Sequence, residues 1–398
     1  MPTDGTYWLI SVPLQDGDPH RMHTELANAV SKESQQGASI GDVSLPPLKA
    51  GTLSSLVSLA DTLPKAVSAG ETTLNKLLET LRALLNDDQA ALAQHTLVRE
   101  GAVDNYVVGG WAWNAAKYRV DQDLHDVVEV INRELTSIDA INKAKVNAYN
   151  AAKGQLTQLQ RKKTGNLSVR SLADVVHRDD FADPQSEFLD TLLVAVPKNN
   201  IKDWQSKYER LAPMVVPRSS KKLAADEEFA LFNVTVFKKT RDEYIQKARE
   251  NKFTVREFEW DEEVVERERQ ELEDAGVSEK ELWTEVLRLT RTNFSEAYQA
   301  LTHLKVVRSF VESVLRFGLP ADYFVAAIKP NPKRSKALVG TLASHYAHLA
   351  AYDKRQSKSK SGGGGVNDGE VPGEFASLVE AEYYPFVLEE LPIVAGST

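Results

Sequence analysis

The chain has 398 residues, 42% of them hydrophobic and 26% charged, with no cysteine and a formal net charge of −9. That length exceeds one comfortable core, so two domains are expected, and the apolar content argues against global disorder. The missing thiols exclude disulfides and thiolate metal sites and fit a reducing compartment, while the acidic balance speaks against nucleic acid as a partner.

The opening MPTDGTYWLISVPLQDGD has no basic segment ahead of its apolar one and does not read as a secretory leader. No apolar run approaches the ~20 residues of a membrane span. Asn-x-Ser/Thr triplets at Asn166, Asn233 and Asn293 carry no weight in a cytosolic chain.

TYWLISVPL (6–14) alternates and predicts a strand ending at Pro13. Residues 20–110 read as helical with breaks at Pro46-Pro47 and Gly70, and Leu74, Leu77, Leu78, Leu81, Leu84 and Leu85 form an apolar stripe. From about Trp111 to Ala152 no Pro or Gly intervenes, and Val128, Ile131, Leu135, Ile138 and Ile141 keep three-and-four spacing, with Tyr149, Leu156 and Leu159 continuing it. This predicts a helix of ~40 residues, ~60 Å long, that needs a second long helix to cover its stripe.

FLDTLLVAVP (188–197), APMVVP (212–217), FALFNVTVF (229–237) and FTVREFEWD (253–261) read as strands. With helices at 200–211 and 239–251 they give the order β-α-β-β-α-β, the ferredoxin-like arrangement. Ser278 and Glu281 form a capping-box signature for a second long helix. Its stripe runs from Leu282 through Leu301 to Val314 and stops at Gly318 and Pro320. DYFVAAIKP (322–330) predicts a strand, 335–352 a helix, 357–373 a flexible linker and EYYPFVLEEL (382–391) a last strand. The expected fold is α+β and helix-rich: a discontinuous α+β foot from both chain ends, a long antiparallel helical neck and a ferredoxin-like head, forming an elongated dumbbell. The boundaries are 1–150 and 286–398 for the foot, 151–164 and 263–285 for the neck, and 165–262 for the head.

No catalytic constellation stands out. Gly362 to Gly365 are followed by Val366 rather than Lys-Ser/Thr, so they read as linker and not as a phosphate loop. His20/His23 and His345/His348 are spaced three apart but lack the His-Glu-x-x-His frame of a zinc site. The acidic run 260–276 reads as a solvated helix, and Trp111, Trp113 and Tyr118 as core aromatics. Charge is segregated: residues 198–222 hold seven bases and two acids, 328–360 eight bases and one acid, and from Val366 onward seven acids and no base. A chain with separated charge and long helices fits a connector.

YWLISVP (7–13), MVVPRSS (214–220), KARENKF (247–253), NFSEA (293–297), FVESVLRFGLP (310–320) and EYYPFV (382–387) occur in that order. They closely resemble the C-subunit of the eukaryotic vacuolar-type proton-translocating ATPase (V-ATPase); 1–4, 261–276 and 357–373 carry no matching block. The resemblance implies a non-catalytic, cofactor-free stator component on the cytosolic face of vacuolar and other endomembranes. In that family the head grips a peripheral stalk made of the E and G subunits. The foot meets another stalk and the cytosolic N-terminal region of the membrane-sector a-subunit, and release accompanies reversible separation of the two sectors. Actin and an assembly chaperone remain open as further partners. Candidate interface residues are Arg218, Lys221 and Lys222, taken for their charge on a loop leaving strand 212–217, and Lys329, Lys333, Arg334 and Lys336 in the basic 329–336 segment. Two other readings stay open: a cytoskeletal or vesicle-coat scaffold, and a nucleotide-binding head using the 218–222 loop.

Overall fold

A computed structural model describes residues 5–14, 18–34, 38–173, 175–182, 186–258, 262–349 and 384–394. The linker 357–373, with Gly362 to Gly365 inside it, lies outside the described residues. The fold is α+β, in two compact units: Met1–Val146 with Glu285–Thr398, and Asn147–Thr284.

The first unit is built on a five-stranded sheet in the order β3-β2-β8-β1-β9. β1 (Thr6–Pro13) lies between β8 (Tyr323–Lys329) and β9 (Val387–Pro392), antiparallel to both, so that Ile10 sits opposite Ala326 on one side and Leu388 on the other. β2 (Ser39–Ser44) pairs antiparallel with β8, and the two-residue β3 (Trp111–Ala112) runs parallel to β2. Residues Tyr7 to Val12 are all buried, because both faces of β1 are covered. On one face Trp8, Ile10 and Val12 pack with Leu26 of α1 (Pro19–Ser34) and with Leu338 and Leu342 of α9 (Ser335–His345). On the other, Tyr7 and Leu9 join α2 (Leu53–Leu84), α5 (Leu124–Thr164) and α8 (Glu262–Phe317). Ser11, the polar exception, is satisfied by the Ser313 hydroxyl, which donates to it at 2.8 Å.

The leucine stripe of α2 is core, with Leu74, Leu77 and Leu81 at 1% exposure or less. Two short helices, α3 (Gln89–His95) and α4 (Val103–Val108), lead to β3. The first long helix begins at Leu124 rather than near Trp111. Gly110 in the left-handed region (φ +97°) breaks the chain, Trp111 joins the sheet, and the Trp113 indole N–H closes a turn by donating to the Tyr118 carbonyl at 2.7 Å. Inside this unit α5 and α8 run antiparallel, as shown by Thr290 donating to Asn142 at 2.9 Å and the Lys145–Glu285 ion pair at 2.6 Å.

The predicted start of the second helix at Ser278 is also overturned. α8 begins at Glu262 and continues for 56 residues to Phe317. A Ser-x-x-Glu pattern caps a helix only where the preceding turn is not already helical, and here only Gly276 interrupts good helix formers, at a cost of ~1 kcal/mol. The predicted end holds, with Gly318 at φ +84° followed by Leu319-Pro320.

The second unit carries an antiparallel sheet in the order β5-β6-β4-β7. Along the chain the elements are β4 (Leu189–Pro197), α6 (Ile201–Lys207), β5 (Lys221–Ala225), β6 (Phe229–Phe237), α7 (Arg241–Glu250) and β7 (Thr254–Arg256). Val194, Phe232 and Val234 face Trp204, Tyr244 and Phe253, while Leu193 and Leu231 face Leu167, Leu172 and Val176. The second strand is not 212–217. Met214 and Arg218 both take left-handed backbone (φ +62° and +57°), which breaks extension, so that only Val215 forms an isolated bridge, to Val236. The strand is instead Lys221–Ala225, with a register shift between Lys222 and Ala224. The fourth strand is shorter than 253–261, and residues 259–261 lie outside the described set.

Candidate functional site

The basic 218–222 segment is therefore a turn and an edge strand, not one loop. Arg218 is exposed at the turn, and its backbone N–H donates to Glu209 Oε1 at 2.9 Å. That bond, with the Tyr208 hydroxyl second, holds the Glu209 carboxyl below the usual range. Lys221 and Lys222 are successive strand residues and point to opposite faces of the sheet. The Lys221 N–H donates to Asn233 Oδ1 at 2.8 Å, while its side chain, 74% exposed, brings the ammonium only to 3.6 Å from Asp180, a weak pairing. Both serines of this stretch serve the fold. The Ser219 hydroxyl donates to the Val216 carbonyl at 2.7 Å, and Ser220 accepts the Trp204 indole N–H at 3.1 Å. Those contacts hold the hydroxyls that the nucleotide-loop reading needs.

The second basic segment divides in the same way. Lys329 is half-buried in β8 and pairs with Asp104 Oδ2 at 2.8 Å, and the Tyr7 hydroxyl donates to the other oxygen of Asp104 at 2.5 Å. Lys333, Arg334 and Lys336 are exposed around the start of α9 and share one shallow open pocket. Only these three of the four come together on an open surface, and they belong to a different unit from Arg218, Lys221 and Lys222.

Two polar arrangements escape sequence reading. The first is His303 of α8, buried among Trp111, Trp113 and Tyr118 with ring centroids 4.8 to 4.9 Å away. Its Nε2 accepts the Asn114 N–H at 3.1 Å, so its Nδ1 carries the proton and donates to the Gln299 carbonyl at 2.7 Å. Burial, the dominant cause, lowers its pKa to about 4 and keeps the ring neutral.

The second is a row of α8 side chains that fastens β9. The Tyr298 hydroxyl donates to the Pro392 carbonyl at 3.0 Å, and Arg316 donates to the Tyr384 and Phe386 carbonyls at 2.9 Å. Arg308 pairs with Glu389 at 3.0 Å, and Lys305 reaches the Glu390 carbonyl and Glu71. The Glu389 carboxyl is pushed up to about 7, because burial outweighs the opposing pull of Arg308 and Lys305. Nothing in the local pattern foretells these contacts, since each partner lies far along the chain.

The paired histidines sit at surfaces. His23 faces Asp42 at 2.5 Å, and His348 lies against the His345 carbonyl. Among the described residues the one cluster with metal-ligand geometry is His125, Asp126 and Glu129, all exposed. No helix among them is long and apolar enough to cross a membrane.

The profile of the V-ATPase C-subunit family matches residues 7–387. The chain is 39% identical to the V-type proton ATPase C-subunit 1-A of Danio rerio over 389 residues, 96% of each chain. It is 38% identical to the V-type proton ATPase C-subunit 1 of Xenopus tropicalis over 384 residues, 96% of each. It is likewise 38% identical to the V-type proton ATPase C-subunit of Caenorhabditis briggsae over 391 residues, 98% of this chain and 97% of the other.

Proposed function

Because this chain belongs to the V-ATPase C-subunit family, a premise carried by the profile match over residues 7–387 and the near full-length identity to its members, we propose that it is a non-catalytic stator part of the proton pump. It links peripheral stalks made of the E and G subunits to the cytosolic N-terminal region of the membrane-sector a-subunit, and its release accompanies separation of the ATP-hydrolysing sector. It acts on the cytosolic face of acidified endomembranes. Actin and an assembly chaperone are secondary candidates as partners.

Mechanics support the reading. Rotary catalysis loads a stator with torque, which favours stiff elements bound at more than one place. α5 and α8 contain 41 and 56 residues, lengths of about 60 and 85 Å at 1.5 Å per residue. The β-α-β-β-α-β order of the second unit supports a ferredoxin-like head. In this proposal it is the stalk grip, and the discontinuous first unit is the foot. The dumbbell shape belongs to the same proposal, and small-angle scattering of the free chain tests it.

The functional test is a calorimetric titration of the full-length chain against purified E–G heterodimer at two salt concentrations. Saturable binding that weakens with salt is expected. A folded chain that shows no binding overturns the stalk link. Charge reversal at Arg218, Lys221 and Lys222, or at Lys333, Arg334 and Lys336, weakens that binding or assembly with the a-subunit if these surfaces are contacts; unchanged assembly removes them.

A further inference from the structure

Within the second unit, the last turns of α5, the segment after it and the first turns of α8 enclose a cleft of about 250 Å3. Its apolar wall comes from Leu159, Val265 and Leu272, all only half-buried. Four cations line it, Lys162, Lys163, Arg170 and Arg269; of these Lys162, Arg170 and Arg269 have no ion-pair partner within 4 Å among the described residues. The Arg170 Nε is buried without a hydrogen-bond acceptor. Of the acids present, Glu268 already accepts the Ser171 hydroxyl at 2.7 Å, and Glu271 is exposed at the edge.

The loop bordering the cleft is held from both sides. Arg256 of β7 donates to the Ser168 and Arg170 carbonyls, Asp226 accepts the Leu167 N–H at 2.5 Å, and the Ser171 N–H donates to the Lys162 carbonyl at 2.7 Å. This fixed loop nevertheless presents Val169 at 74% exposure. A pinned loop with an exposed aliphatic side chain, next in sequence to a cleft with an apolar wall and cations without ion-pair partners, has the composition of a recognition surface.

We propose that this cleft seats an acidic amphipathic helix of a partner protein. An aliphatic side chain would enter between Leu159, Val265 and Leu272, and carboxylates would meet Lys162, Arg170 and Arg269. Two parallel ridges supplied by helices favour a third helix over a strand, because a helix presents apolar and acidic residues at i and i+4 to such a groove. The charge on the cleft selects the acidic partner face. This rests on the reading of the chain as one component of a larger assembly.

The test uses the full-length chain and a fluorescein-labelled helical peptide with Leu and Glu at i, i+4 spacing, read by anisotropy. Binding that weakens with salt is expected, together with at least a tenfold loss for Lys162→Glu/Arg269→Glu, two exposed positions, and for the triple variant adding Arg170→Glu. A peptide with Lys in place of Glu should bind the reversed variants better than the wild type. The cleft is overturned if the acidic peptide binds no tighter than its Gln counterpart, or if the double variant, folded by circular dichroism, binds it as the wild type does. Incorporation into a pump complex stripped of its C-subunit separates the two readings. Incorporation of wild type and double variant alike removes the cleft and leaves the stator role. Failure of the wild type removes the stator role, and the peptide result alone then decides the cleft.

Discussion

The same two helices meet different fates in the two units. In the first, the stripes of α5 and α8 are sealed but for Ile141, which is 49% exposed: Ile131, Leu301, Leu304 and Val307 have no exposure at all. In the second, Leu156 and Leu159 of α5 and Val265 and Leu272 of α8 keep the spacing but are only half-buried. An apolar period states which face of a helix needs cover; it does not state what supplies the cover, whether the rest of the same chain or something else.

The contrast is broken most sharply by truncating one leucine from each half of α8. Leu301→Ala should cost about 3–4 kcal/mol, because a sealed cavity forms, whereas Leu272→Ala should cost about 1 or less; urea midpoints measure both. Comparable losses would show that the second-unit stripe is as enclosed as the first. Lys305→Ala should come next, at about 1–2 kcal/mol, since it takes a donor from the Glu390 carbonyl, whereas Glu71, 41% exposed, turns to water. Hydrogen exchange should show protection lost chiefly in β9.

Acidity sharpens a comparison inside the first unit. His303, neutral with a pKa lowered to about 4, adds stability above the ordinary 6.5 that is lost as pH falls through 4. Glu389, raised to about 7, acts oppositely: its stability is present below the ordinary 4.5 and is lost as pH rises through 7. Between about pH 5 and 6.5 the two slopes offset, and the wild type should be nearly level there. Glu389→Gln should uncover the histidine slope, so that its urea midpoint falls on acidification; a midpoint that stays level would show that His303 does not carry it. The smallest effects belong to Gly154→Ala and Gly276→Ala, helix-interior positions where a Cβ meets nothing within 4 Å. Each should stabilise by roughly 0.5–1 kcal/mol in thermal melts.

Long-period features were legible in the sequence. The α2 stripe, β1, β4, β6, β8 and the Gly318 stop are all set by local pattern and backbone chemistry. β5 was not legible: KKLAA has no alternation, and it becomes a strand only because β6 offers it an edge. β2 and β3 were hidden for the same reason, being short and polar or only two residues long. Of the candidate interface residues, Lys329 illustrates the limit best. Its charge was plain, but its partner Asp104 sits on α4, and only tertiary structure reveals that the pair is internal. His303 and the α8–β9 fastening depend entirely on such distant partners.

β1 also has a consequence for the order of synthesis. Leu9 is synthesised more than 300 residues before Ala327 and Glu389, its neighbours in the sheet. The second unit, continuous from Asn147 to Thr284, has all of its strands in hand much earlier. The nascent chain must therefore carry an apolar strand with two open edges until β8 and then β9 have been made, and the arrival of those two strands decides when β1 ceases to be an aggregation hazard.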